Sequence, residues 1–224
     1  MSDIPVAVRR LVETWQDRGF PTQPGIVWPQ ERWIDEFPAY RLLLSQLPRV
    51  LDRSALRVAC ANASASPEAA EGAFVAVMAW GYGRVGYGPY RVLAILSGNG
   101  AAGHLHSVVQ TLLAGGAVAA YRRLADPADC RLRGLGPSFG TKFLAFCSSE
   151  IERPALILDE MVASWLLRSA GLRFTHGRWH PRSYKAYFDA MHSWADEVGV
   201  RAEDIERCIF SDEAASRPGN QWGT

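Results

Sequence analysis

The chain is punctuated most sharply at Gly134-Leu135-Gly136-Pro137, two glycines one residue apart followed by a proline. Helical patterns lie on both sides, at about 116–125 and 138–148. Glycines so placed open backbone conformations closed to residues with a side chain. A proline sits in a helix only within its first turn. The segment therefore reads as helix, tight turn, helix. The amides that open the second helix lack intrahelical acceptors and, with the positive end of the helix dipole, can face an anion. A DNA phosphate is one such anion; a plain turn between two packed helices is the other reading.

Helical spacing recurs along the chain. Val8, Leu11, Val12 and Trp15 place an amphipathic helix over 5–18, a loop follows at 19–30, and further patterns stand at about 31–37 and 38–51. Ser66-Pro67-Glu68 reads as a cap and first turn, leading into Phe74, Val75, Val77, Met78 and Trp80. Other helical stretches are 105–114, 159–170, 181–197 and 201–209, with a polar tail from Ser211. Strand-type alternation is scarce and no repeat is present, so a mainly α protein is expected. Its expected divisions are an N-terminal helical segment over 1–66, a core over 67–175, and C-terminal helices and tail over 176–224.

Composition enters by exclusion. Twenty-four Lys and Arg oppose 23 Asp and Glu, a balance that neither supports nor excludes nucleic acid, since a local basic face decides that. No apolar run approaches the roughly 18 residues of a membrane span. The N-terminus lacks the layout of a signal peptide, so a cytoplasmic protein that does not bind membranes is expected. Cys60, Cys130, Cys147 and Cys208 form no close pair and read as buried thiols. His176 and His180 are interrupted by Gly177 and Pro181, and no metal site is expected. Lys142 and Lys185 are the only lysines, so side-chain amine chemistry has two candidates.

Seventeen residues after Lys142, the apolar run Ala155-Leu156-Ile157-Leu158 delivers Asp159 to the start of a helix. A plain N-cap is one reading. The other is a buried carboxylate kept ionised by helix amides and dipole, able to stabilise positive charge developing on a sugar. Upstream, Trp80 to Arg91 packs four glycines, three tyrosines, a tryptophan and two arginines into twelve residues. Aromatics there can sandwich a flipped base, with Trp80, Tyr82, Arg84, Tyr87 and Arg91 as candidates for a base pocket. A glycine-rich turn with tyrosines packed on the core is the alternative.

The turn at Leu132 to Gly136, followed by Ile157-Leu158-Asp159, resembles the helix-hairpin-helix DNA glycosylases over roughly residues 68 to 170. The chain also resembles bacterial proteins with an 8-oxoguanine glycosylase-like fold, through Gly136 to Lys142 and Trp80 to Gly83. The resemblance implies a two-lobed helical bundle and a DNA N-glycosylase that flips out and excises a base, oxidised guanine or a hypermodified base of phage DNA, leaving an abasic site. It implies repair or antiviral defence, and double-stranded DNA carrying a modified base as partner; a monomer is expected. Asp159 would be catalytic, with Lys142 as candidate nucleophile for an associated lyase step. Arg133, Gly134, Gly136, Ser138 and Thr141 would hold DNA. No cofactor is required, although hairpin carbonyls in such proteins often bind Na+ or K+. One departure stands out: Ser138 occupies the family's lysine position, and Lys142 lies four residues, about one helical turn, further on. A catalytically inactive DNA-binding module is the alternative, and a helical scaffold in which Asp159 is merely a cap is a third reading.

Overall fold

From residue 3 to residue 217, the residues that the computed structural model describes, the chain builds eleven α-helices and one two-stranded ribbon. Helix α1 (Val6–Gln16) turns Val8 and Val12 inward. Strands β1 (Ile26–Val27) and β2 (Val50–Leu51) pair antiparallel, Ile26 opposite Leu51, around α2 (Gln30–Glu36), a 3-10 turn (Pro38–Tyr40) and α3 (Arg41–Gln46). The single helix expected over 38–51 is thus a short turn, a helix and a strand. Pro48 cannot donate a backbone hydrogen bond, and its carbonyl instead accepts the Trp28 indole N–H at 2.9 Å.

Helix α4 (Arg53–Cys60) was not anticipated by the sequence pattern, although Asp52 caps it by accepting the Ala55 N–H. Helix α5 (Pro67–Tyr82) carries the most apolar stretch of the chain and is buried on nearly all sides from Ala70 to Trp80, as a helix without a polar face must be. Ser66 caps it through the Ala69 N–H at 3.1 Å, worth about 1 kcal/mol. Helix α6 (Gly88–Leu96) begins within the glycine- and tyrosine-rich segment, which is therefore not one long turn. Helix α7 (Ala101–Ala125) breaks at Gly116 (φ 80°, ψ 175°), where the sequence divides two patterns.

Then come α8 (Pro137–Cys147), α9 (Glu160–Ala170), α10 (Pro181–Val198) and α11 (Ala202–Ala215), which runs past the expected tail boundary at Ser211. Helix α5 packs against α4, α6, α7 and α8, while α11 joins α1, α9 and α10. Buried side chains from Ile4 to Ala214 form one continuous core, with Trp33, Phe74, Tyr121, Phe143, Tyr184, Tyr187 and Trp194 among its largest members. All four cysteines are buried free thiols. Among the described residues no helix is long and apolar enough to cross a membrane.

Candidate active site

The hairpin forms where the two glycines place it. Leu132 and Leu135 are buried, the Leu135 N–H closes the turn on the Leu132 carbonyl at 3.2 Å, and Gly134 takes φ 89°, a conformation that residues with side chains rarely adopt. Gly136 is extended, as a residue before proline should be, and Pro137 begins α8. No side chain caps α8. Arg131, Arg133 and Gly134 are exposed, while Gly136 and Ser138 are half-buried. Helix α6 abuts this turn: a Cβ built on Gly134 would lie 3.4 Å from Ile95. Exposed Tyr90 and Arg91 therefore belong to the helix beside the hairpin, while exposed Arg84 and Tyr87 lie in the turn that leads into it.

Trp179 braces the turn from behind. Its indole N–H donates to the Leu135 carbonyl at 3.2 Å, and its ring covers Gly140 so closely that a Cβ there would lie 2.5 Å away. The carbonyls of Leu132, Leu135 and Gly136 thus already accept Leu135 N–H, Trp179 Nε1 and Gly140 N–H. Each of these carbonyls keeps a second lone pair, with which it could also meet the monovalent cation that the resemblance implied; no step below is routed through one.

Lys142 and Asp159 meet. Lys142 Nζ donates to Asp159 Oδ2 at 2.8 Å, and the two residues are 7% and 8% exposed. Asp159 is also the cap of α9: its Oδ1 accepts the Met161 and Val162 N–H groups at 3.1 and 3.2 Å. One carboxylate does both jobs. Burial pushes its pKa up, but the Lys142 ammonium, the Val162 N–H and the Arg53 guanidinium outweigh burial and hold it below the usual carboxylate range.

The segment leading to Asp159 has no neighbouring strand, so side chains satisfy its backbone. The Ala155 N–H donates to Ser148 Oγ at 2.8 Å, Leu156 exchanges hydrogen bonds with the Tyr184 hydroxyl, and the Ile157 N–H donates to Glu206 Oε2 at 2.8 Å. The Tyr187 hydroxyl donates to the Ile157 carbonyl at 2.8 Å, and the Leu158 N–H donates to Thr141 Oγ1 at 3.2 Å. Backbone polar groups this deeply buried must be paired, and here α8, α10 and α11 supply the partners.

These contacts correct two expectations. Thr141, expected on the DNA face, is fully buried with its hydroxyl bridging Ser138 O and Leu158 N–H. Trp80, expected to line a base pocket, is buried edge-on against Phe146 at 5.2 Å, with the Arg53 guanidinium 5.7 Å over its ring. Thr141→Val should therefore act on stability: it strands the buried Leu158 N–H at a cost of about 1–3 kcal/mol. Thermal denaturation should show a drop of several degrees, while the salt dependence of duplex binding stays unchanged.

Of the other pocket candidates, Tyr82 is buried and stacks on Phe139 with ring centroids 4.5 Å apart, and 61%-exposed Tyr87 meets Tyr82 edge-on at 5.8 Å. Lys142 Nζ lies 5.7 Å from the Phe139 ring. Tyr87, Tyr82 and Phe139 thus form an aromatic series from the surface to the buried ion pair. Phe139 was missed by sequence reading, although its spacing of three from Lys142 puts both on one helix face. Arg53 and Glu206 were also missed. A cavity of about 500 Å3 reaches those two residues between α4, α8 and α11, whereas Lys142 and Asp159 do not line it.

No curated protein and no solved structure matches the chain. A family model does, over residues 19–210, described as "Putative 8-oxoguanine DNA glycosylase OGG-like protein". That span takes in the hairpin, the Lys142–Asp159 pair and the side chains that hold its backbone, and the chain belongs to this OGG-like glycosylase family.

Proposed function

We propose that the chain is a DNA N-glycosylase whose reacting groups are Asp159 and Lys142, acting on a modified base in double-stranded DNA. One observation carries the reading: a lysine ammonium from α8, the helix that follows the hairpin, and the carboxylate that starts α9 are held together at 2.8 Å inside the fold. A fold needing only a cap at α9 has no use for a buried amine on that cap, since a buried ion pair contributes little net stability.

The chemistry follows from the two groups. The target nucleotide leaves the stack while hairpin amides and the surrounding arginines grip phosphates. Tyr87, Tyr82 and Phe139 offer aromatic faces along the path inward, the last two by moving aside. As the C1′–N bond breaks, its electron pair departs with the base, and the sugar gains positive charge that ionised Asp159 stabilises. The leaving base needs one proton. The Lys142 ammonium has one to give, and giving it yields the amine that adds to C1′. Release of the base leaves an abasic product, from oxidised guanine in repair or from a hypermodified phage base in defence. The test is incubation of the protein with a panel of modified duplexes and phage genomic DNAs, scoring abasic sites and nicks separately. Absence of both from every substrate refutes the assignment.

The hairpin makes a separate prediction. Gly136 has φ −91°, and a Cβ there meets nothing within 4 Å, so Gly136→Val fits the free protein. Its side chain would stand among the first amides of α8. Affinity for any duplex, modified or not, should fall by about tenfold, the value of one charge-assisted hydrogen bond. Wild-type binding should weaken steeply with salt. Unchanged affinity in the folded variant would remove the hairpin from the DNA interface.

A further inference from the structure

A second buried ion pair holds the backbone two residues before Asp159. Arg53 donates through one terminal nitrogen to Glu206 Oε1 at 2.7 Å and through Nε to Gln23 at 2.9 Å, while its other terminal nitrogen lies 3.7 Å from Glu203. Its guanidinium is enclosed by the Trp80 and Phe146 rings at 5.7 and 6.0 Å. Glu206 is 1% exposed, and its second oxygen takes the Ile157 N–H, two residues before Asp159. Burial raises the Glu206 pKa, and Arg53 and the Ile157 N–H oppose that rise. Such a pair is a poor source of stability compared with apolar packing, so its value must lie in what it holds.

We propose that Arg53 and Glu206 are positioning residues for Asp159: Glu206 fixes the backbone that delivers the carboxylate, and Arg53 holds Glu206 and leaves a buried positive charge at this centre once Lys142 turns to the substrate. The inference rests on the glycosylase reading of the Lys142–Asp159 pair. In the resting protein Asp159 has two cations acting on it, Lys142 in contact and Arg53 at longer range. When Lys142 gives up its proton and bonds to the sugar, Arg53 remains. The other ionisable groups at this centre include Tyr184 and Tyr187 of α10, whose hydroxyls are committed to the Leu156 and Ile157 carbonyls, Glu206 and Glu203 of α11, which face Arg53, and Arg57 of α4, which pairs with Glu203. Removing Arg53 should therefore raise the Asp159 pKa, and removing the charge of Glu206 should lower it. A role confined to packing, with neither charge acting on Asp159, gives no such opposition of sign.

The test compares Arg53→Met, Arg53→Lys and Glu206→Gln, which keeps an oxygen for the Ile157 N–H. Carboxyl 13C NMR titration of Asp159 in the full-length protein needs no DNA. It should move upward in Arg53→Met, stay near wild type in Arg53→Lys and move downward in Glu206→Gln. With substrate, the acid limb of the single-turnover rate profile should follow the same directions. Arg53→Met should be slower by about 10²-fold, as displacement of a reacting group costs, with duplex affinity retained. An unmoved Asp159 titration in Arg53→Met overturns the proposal; if that variant does not fold, an unmoved titration in Glu206→Gln does so. Titration shifts as expected in a protein that releases no base uphold the positioning and refute the glycosylase reading instead.

Discussion

Asp159→Asn should lower single-turnover base release by about 10²–10³-fold, the size of a lost charge aimed at a developing charge in a water-poor site, while duplex affinity changes only a few-fold. The cap does not confound this result. Asparagine retains a side-chain oxygen for the Met161 and Val162 N–H groups that Oδ1 now accepts. What the variant loses is the charge facing Lys142. That ammonium would remain buried opposite an amide, and orphaning a buried ion costs about 3–5 kcal/mol. A lower Tm is therefore expected with the lower rate, and the two effects must be separated. Adding Lys142→Met to Asp159→Asn removes the orphaned charge and should recover much of the Tm through coupling of the two sites. It should recover none of the activity. Near-wild-type excision by folded Asp159→Asn would refute the catalytic assignment of this residue.

The same carboxylate shows why some of this site was legible in the sequence and some was not. Asp159 after an apolar run, Ser66 before Pro67, and the glycines before Pro137 all act on backbone within three residues of themselves, so their effects are written locally. Lys142 and Asp159 are 17 residues apart and on successive elements, near enough for helical spacing and chain order to bring them under suspicion together. Arg53 and Glu206 are 153 residues apart. Nothing local to either distinguishes it from the other charged residues of a helical surface, and only the packing of α4 on α8 and of α10 on α11 buries them beside Ile157. Thr141 and Trp80 failed for the converse reason. Their residue types suit a DNA face, yet the rotation of α8 and α5 about their axes points them into the core, and burial is a tertiary property. Helix α6 hid behind Gly86, Gly88 and Pro89: the proline occupies its first turn, where it is tolerated, so residues that read as a loop begin a helix.

Lys142→Gln should abolish a covalent adduct that the wild-type protein forms with substrate DNA under borohydride. Addition of the Lys142 amine to C1′, followed by ring opening, gives a C=N bond between Nζ and C1′, and hydride reduces that bond to a stable secondary amine. The chain offers this chemistry one other lysine, and Lys185 is half exposed on α10, paired with Asp189 one turn further on. The presence of Ser138 four residues earlier no longer argues against Lys142 as it did from spacing alone. Ser138 is half-buried in the first turn of α8 with its carbonyl accepting the Thr141 hydroxyl, whereas Lys142 is the residue of that helix which reaches Asp159. Nζ is nevertheless engaged by Asp159 in the resting protein, and separating the two would leave a buried carboxylate without its contact cation. In the proposed reaction the amine is freed as the base departs, and that order has a consequence. Lys142→Gln should lose base release together with the adduct, because one proton links the two events. Base release at the wild-type rate without an adduct or a nick would make water the nucleophile and reduce Lys142 to the counterion of Asp159. An adduct that persists in Lys142→Gln would move the nucleophile to Lys185 or the N-terminal amine and refute the assignment outright.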